Sequence, residues 1–309
     1  WIPRRTVNCP ALDIPPLTTF GEFLQGSEKR EVSSTMVMVR LLAALLKMPE
    51  VASYVVPIVP DEARTFGMDG LFKVAGIYSA EGQKYRPVDA DTLLPYREAS
   101  DGQILQEGIC EVGAMASFMA AGSAYAVHGL PMIPFYIFYS MFGLQRVGDM
   151  VWSCGDMMCR GFLLGGTAGR TTLNGEGLQH QDGHSHVLAS TVPNLLSFDP
   201  AWGYELAIIV QDGMRRMYAE QEDVFYYLTL YNENQVMPAL AEVAEQTEQT
   251  EIEIVAGVLQ GGYCMRRAAN SSGPAGATVH LLASGSLLQQ ALLAAAQLTE
   301  LGHSVNIWS

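Results

Sequence analysis

The stretch GICEVGAMASFMAAGSAYAVHGLPMIPFYIFY (108–139) decides the fold, because it admits two readings. From 112 to 145 no Asp, Glu, Lys or Arg occurs, and an apolar run of that length is enough to span a bilayer. Inside it, however, HGLPMIP (128–134) places a glycine and two prolines that break any continuous helix. The part before the break is rich in Gly, Ala and Ser, and the part after it, MIPFYIFY (132–139), is strand-like. A buried helix followed by a buried strand accounts for both halves, so a membrane span is not expected.

The flanking segments continue the alternation. Ser33 or Ser34 caps an amphipathic helix, TMVMVRLLAALLKM (35–48), and YVVPIVP (54–60) reads as a strand ending on the charged loop DEARTFG (61–67). A polar excursion runs to about Gly102. After the central stretch come a helix over 139–161, a strand FLLGGTAG (162–169), and a polar loop with three of the six histidines, NGEGLQHQDGHSH (174–186). Asp199-Pro200 has the form of a helix start, with Asp as N-cap, and DVFYYLTLY (223–231) is a further strand. Strands that are apolar throughout and alternate with helices imply an α/β fold: a mostly parallel sheet with helices on both faces.

The acidic, low-complexity run ALAEVAEQTEQTEIE (239–253) reads as a linker. After it, ATVHLLASGS (277–286), a helix over 287–301 and SVNIWS (304–309) form one βαβ unit of a second α/β domain. The expected organisation is an extended lead-in over 1–30, a main domain over 31–238, a linker over 239–274 and the beginning of a C-terminal domain over 275–309.

Composition narrows the function classes. The charged content of 16% lies below the roughly 25% of a typical soluble domain, which implies that much surface is hidden against a second copy or a partner. The net charge of −14 argues against nucleic acid or an anionic membrane as partner. Five cysteines without a CxxC pair suggest reduced, cytoplasmic thiols, and the N-terminal segment lacks the apolar core of a secretory signal.

Ligands of open parallel sheets bind beyond the carboxyl ends of the strands. Loops at such ends would bring Asp61, Glu62, Tyr139, Phe142, Glu176, His180 and Asn232 to one rim. Glu111 instead begins a helix, where a carboxylate is favourable for electrostatic reasons alone. The spacing His180-x3-His184-x-His186 resembles a metal site, but nothing else in the chain supplies a CxxC or HExxH partner, so no metal is expected there.

DEARTFGMDGLF (61–72), GQILQEGICEVGA (102–114), PMIPFYIFYSMFGLQR (131–146), GRTTLNGEGLQHQDGHSH (169–186) and YNENQVMPAL (231–240) together resemble one family. It is the homodimeric type of first, decarboxylating component of the pyruvate dehydrogenase complex, a thiamin diphosphate enzyme related to transketolase. The resemblance runs from about Glu31 onward and corresponds to the pyrimidine-binding middle domain plus the start of the C-terminal domain.

It implies that Glu111, in GICEVGA, hydrogen-bonds the cofactor's aminopyrimidine, and that Phe142, with Tyr139 beside it, supplies an aromatic face. It further implies that His180 reaches the substrate, that Asp61 and Glu62 line the same cleft, and that His184 and His186 hold the loop. The implied chemistry is decarboxylation of a 2-oxo acid, with the thiazolium as electron sink. The implied partners are a second copy, forming a homodimer, and the lipoyl domain of an acyltransferase component. The family's GDG…N motif for diphosphate and Mg²⁺ does not occur, since GDM at 148–150 and 155–157 lacks the second glycine. Those ligands are therefore expected in a part of the enzyme outside this chain, leaving the chain inactive alone. The rival readings are a paralogue acting on 2-oxobutyrate or another 2-oxo acid, and a non-catalytic dimerisation or scaffold module.

Overall fold

The computed structural model describes residues 7–60, 63–88, 90–91, 96–170, 177–268 and 278–309. Asp61, Glu62 and Glu176 lie outside the described residues.

A parallel six-stranded sheet forms the centre. Its strands are β1 (Val55–Val59), β2 (Leu105–Gln106), β3 (Ile133–Tyr139), β4 (Phe162–Gly166), β5 (Leu195–Phe198) and β6 (Phe225–Thr229), in the order β2-β1-β3-β4-β6-β5. β1, β4 and β6 are buried at every position, as both faces of the sheet are covered. Aromatic side chains pack along the sheet: Phe135 stacks on Phe162 of the neighbouring strand at 4.7 Å, and Phe138 on Tyr227, two strands away, at 6.0 Å.

Helices flank the sheet, the longer ones being α1 (Ser34–Leu45), α2 (Glu111–Val127), α3 (Gly143–Asp156) and α4 (Gly203–Met214). The central stretch of the sequence is thus α2 followed by β3, and among the described residues no helix is long and apolar enough to cross a membrane. Ser33 is the N-cap of α1, its hydroxyl accepting from Met36 N at 3.1 Å. At the start of α3, a Cβ on Gly143 would stand 2.0 Å from the Phe138 ring. Only glycine lets α3 begin this close to β3, and that approach fixes Phe142 at the sheet's edge.

Two expectations are corrected. Asp199 does not cap a helix: α4 begins at Gly203, and the buried Glu205 carboxylate takes the amides of Ala201 at 2.6 Å and Trp202 at 3.0 Å. Asp199 instead accepts from Thr229 Oγ1 and Tyr231 OH, both at 2.5 Å, and from Ser284 Oγ at 2.6 Å. The stretch expected as a linker over 239–274 contains α5 (Leu240–Thr247), α6 (Glu251–Gln260) and the strand β7 (Cys264–Arg266). Its glutamates mask an apolar face: Leu240, Val243, Ala244, Thr247, Ile254 and Val258 are buried at helical spacing, and a Thr250–Glu253 capping box starts α6.

At the C-terminal end, β8 (Thr278–Leu282), α7 (Leu288–Glu300) and β9 (Ser304–Trp308) form the expected βαβ unit, with β7 added antiparallel along β9.

Candidate active site

The strand order turns back between β1 and β3: the chain goes from β1 outward to β2, then returns through α2 to β3 on the other side. Crevices of this kind, at the carboxyl ends of parallel strands, are where such sheets bind ligands. The short strand β2, not foreseen from the sequence, brings Glu111 here, because α2 starts only a few residues past its carboxyl end. Tyr136 OH donates to the Glu111 carbonyl at 3.2 Å and pins the first turn of α2 to β3. Burial, followed by the nearby Glu111 charge, holds that phenol well above its ordinary pKa, so it stays a donor.

Glu111, Phe142, Tyr139 and His180 come together in one continuous cluster. The Glu111 side chain is 14% exposed and receives a hydrogen bond from Arg146 Nη1. The same guanidinium lies 4.2 Å from the centroid of the Phe142 ring. Phe142 meets His180 edge-on at 5.4 Å, and His180 stacks on Tyr139 at 5.3 Å with only 10° between the ring planes. Phe66, behind Tyr139 at 5.1 Å, closes the far side of the cluster. An arginine thus faces the carboxylate, although no Asp, Glu, Lys or Arg follows Glu111 in sequence before Arg146. Arg146 was missed by sequence reasoning, although it is the first charge after the charge-free stretch and stands one helical turn beyond Phe142.

The three histidines of the loop part company. His184 Nε2 lies 2.5 Å from Gln145 Nε2 on α3. His186 sits between Ser197 Oγ at 2.5 Å and Thr229 Oγ1 at 3.0 Å. Among the described residues no group of three or more His, Cys, Asp or Glu is placed to hold a metal ion. Asn232 is drawn away from the cluster, its side-chain oxygen accepting from Thr35 Oγ1 on α1 at 2.9 Å.

Chemically, the cluster offers a shielded carboxylate, an aromatic wall and an imidazole within one crevice. A flat heteroaromatic ring with a basic ring nitrogen suits the carboxylate and the wall.

The family described as "Pyruvate dehydrogenase E1 component middle domain" matches residues 9–238. The chain is 50% identical over 310 residues to the pyruvate dehydrogenase E1 component of Pseudomonas aeruginosa, covering 100% of this chain and 34% of the relative. Against the protein of the same name from Escherichia coli strain K12 the identity is 50% over 291 residues, covering 94% of this chain and 31% of the relative. The chain thus spans about a third of the length of these relatives. Among solved structures, transketolase from Leishmania mexicana superposes with a TM-score of 0.70 at 15% identity, over 96% of this chain and 36% of that one. Transketolase from Campylobacter jejuni gives 0.65 at 18% identity, over 94% and 37%. At these identities the two structures show a shared fold, and the family match over residues 9–238 shows the family: this chain belongs to the pyruvate dehydrogenase E1 component family and carries its middle domain.

Proposed function

We propose that the chain forms the pyrimidine-binding part of a thiamin diphosphate-dependent, decarboxylating 2-oxo-acid dehydrogenase acting on pyruvate. The acetyl group then passes to the lipoyl group of an acyltransferase component. The observation that carries this reading is the single cluster that joins Glu111, Arg146, Phe142, His180 and Tyr139 at the switch point of the sheet.

When bound, thiamin diphosphate supplies a nucleophilic thiazolium carbon and an electron sink. Glu111 would hold a proton at a ring nitrogen of the aminopyrimidine, with Arg146 fixing the carboxylate in place. Phe142 and Tyr139 would orient the ring and exclude water. His180 would donate a hydrogen bond to the substrate carboxylate or to the oxyanion that develops from its carbonyl. Asp61 and Glu62 would line the same cleft. Ligands for the diphosphate and for Mg²⁺ would come from another part of the full-length enzyme, so the isolated chain is expected to be inactive.

A second copy is expected to cover the crevice, giving a homodimer. Ile109 and Val112, which flank Glu111, are 82% and 56% exposed, and Trp152, Met157 and Met158 are exposed at the far end of α3 and just beyond it. A cytoplasmic enzyme fits five cysteines that are all free.

The test is Glu111→Gln in the full-length enzyme, assayed with pyruvate, thiamin diphosphate, Mg²⁺ and an artificial electron acceptor. The amide keeps the shape but not the charge, and proton-transfer steps of this kind contribute about a hundred- to ten-thousand-fold. A loss of that order with an intact fold is expected. A loss below about tenfold at saturating cofactor would reduce Glu111 to a helix-end carboxylate.

A further inference from the structure

The cluster leaves one buried carboxylate of its loop unused. Asp182, two residues after His180, is 6% exposed. Its Oδ1 accepts from the amides of His184 at 3.0 Å and Ser185 at 3.1 Å, and its Oδ2 from Ser185 Oγ at 2.5 Å. Its own amide donates to the carbonyl of Gly169 at 3.1 Å, just past the end of β4. One residue thereby ties the loop to the sheet on one side and to the short helix Ser185–Ala189 on the other.

Starting that helix does not require a charge, because Asn or Ser serves as well at such a position. Burying a carboxylate is costly unless donors compensate it. The additional features here are the second oxygen, which fixes the Ser185 hydroxyl, and the charge, which lies 3.6 Å from His184 Nδ1. His184 in turn contacts Gln145 on α3, the helix that begins just after Phe142 and contains Arg146. The Ser140 hydroxyl, next in sequence to Tyr139, also favours the ionised form of Asp182. Asp182 therefore holds the loop and, through His184, reaches the start of α3, two of the elements whose side chains meet in the cluster.

We propose that Asp182 is a positioning residue, holding the 177–186 loop where the His180 ring stacks on Tyr139 and meets Phe142 edge-on. The kinetic consequence rests on the reading of His180 as the substrate-facing group; the positioning itself does not.

The first test uses this chain, with NMR of selectively labelled histidine. Stacking on Tyr139 shifts the His180 ring protons upfield of those of the exposed His128 and His303. Asp182→Asn is expected to move them towards those reference values while amide signals of β1 and α1 stay in place. Ser185→Ala, which removes one donor only, is expected to move them less, and it carries the test if the asparagine variant does not fold. Unmoved His180 signals in a folded Asp182→Asn chain, or in Ser185→Ala if the former is unfolded, overturn the proposal.

The second test uses the full-length enzyme. A displacement of about 1 Å at a reacting group costs about a hundredfold, so Asp182→Asn should lower kcat by about that factor. On a His180→Ala background it should cost nothing more. An equal further loss on that background means that Asp182 acts only on stability, and overturns the proposal. Full turnover by His180→Ala alone would instead overturn the functional role of His180 and leave the NMR result standing.

Discussion

The guanidinium of Arg146 bonds to the carboxylate of Glu111 and lies 4.2 Å from the ring centroid of Phe142. One cation thus couples the acid and the aromatic wall of the crevice, which come from two different helix starts. Arginine suits both contacts because its planar group donates at its edge and stacks on its face, which lysine does neither as well.

This arrangement predicts a measurable coupling in the isolated chain. In a double-mutant cycle of Arg146→Met and Phe142→Leu, followed by urea denaturation, the interaction should contribute about 0.5–1 kcal/mol. Additive losses would show that the guanidinium merely lies over the ring. Arg146→Lys should retain part of the Glu111 contact and little of the Phe142 coupling.

Two buried carboxylates impose opposite pH dependences on stability. For Asp182, burial alone would raise the pKa, but the Ser185 hydroxyl, the His184 and Ser185 amides and the Ser140 hydroxyl reverse this and leave it lowered. Its contribution is therefore present above the unfolded value of about 3.9 and is lost as pH falls through the lower folded value. Glu205 is shifted upward by burial, against the donors Tyr263, Ser309, Trp202 and Ala201. Its contribution is greatest below the unfolded value of about 4.3 and is lost as pH rises through the folded one. Urea midpoints of wild type and Asp182→Asn should therefore converge as pH falls from 6 towards 3, the gap at neutral pH being about 2 kcal/mol. Glu205→Gln should also close on wild type in acid, where Glu205 itself protonates, but with the opposite sign. As pH rises the wild type loses stability relative to this variant, whereas it gains stability relative to Asp182→Asn. A gap for Asp182→Asn that widens in acid would contradict the assignment.

The exposed apolar residues beside Glu111 predict self-association. Sedimentation equilibrium at micromolar concentration should show a species of twice 33.6 kDa. Ile109→Glu or Val112→Glu should return it to monomer, because a charge placed in the centre of an apolar interface is costly. A monomer in the unmodified chain would leave the 82% exposure of Ile109 without a partner to cover it.

β1, β3, β4 and β6 were legible in the sequence because they are buried almost throughout and therefore appear as unbroken apolar runs between turn signals. The edge strand β5, only partly buried, was not foreseen. Nor was β2, since two residues with intermediate burial carry no periodicity, yet that strand delivers Glu111 to the crevice. α5 and α6 were hidden by their glutamates: the apolar face is narrow, and composition outweighed spacing over 239–253. Asp199-Pro200 has the form of a cap, but Glu205 takes the amides at the start of α4, and Asp199 turns to three hydroxyl groups. In the crevice, Glu111, Tyr139, Phe142 and His180 were named from local motifs, while Arg146 and Asp182 act through contacts between elements, which spacing alone does not reveal.

The three loop histidines separate into different roles, and single substitutions should reveal this. His180 contacts both aromatic rings of the crevice, so His180→Ala in the full-length enzyme should impair reaction with the 2-oxo acid far more than cofactor binding. Loss of one donor to a developing oxyanion costs about a hundred- to a thousand-fold. His186 has both ring nitrogens engaged by Ser197 and Thr229, so His186→Ala should remove both contacts and act through stability, costing about 0.5–1.5 kcal/mol for each. His184 ties the loop to Gln145 and faces Asp182, so His184→Ala should destabilise the chain less and disturb the His180 ring signals. Zinc added to any of the three variants should restore nothing, since the side chains turn to different partners. Stoichiometric zinc retained by the chain through dialysis, and lost equally in all three variants, would show instead that the loop closes around a metal.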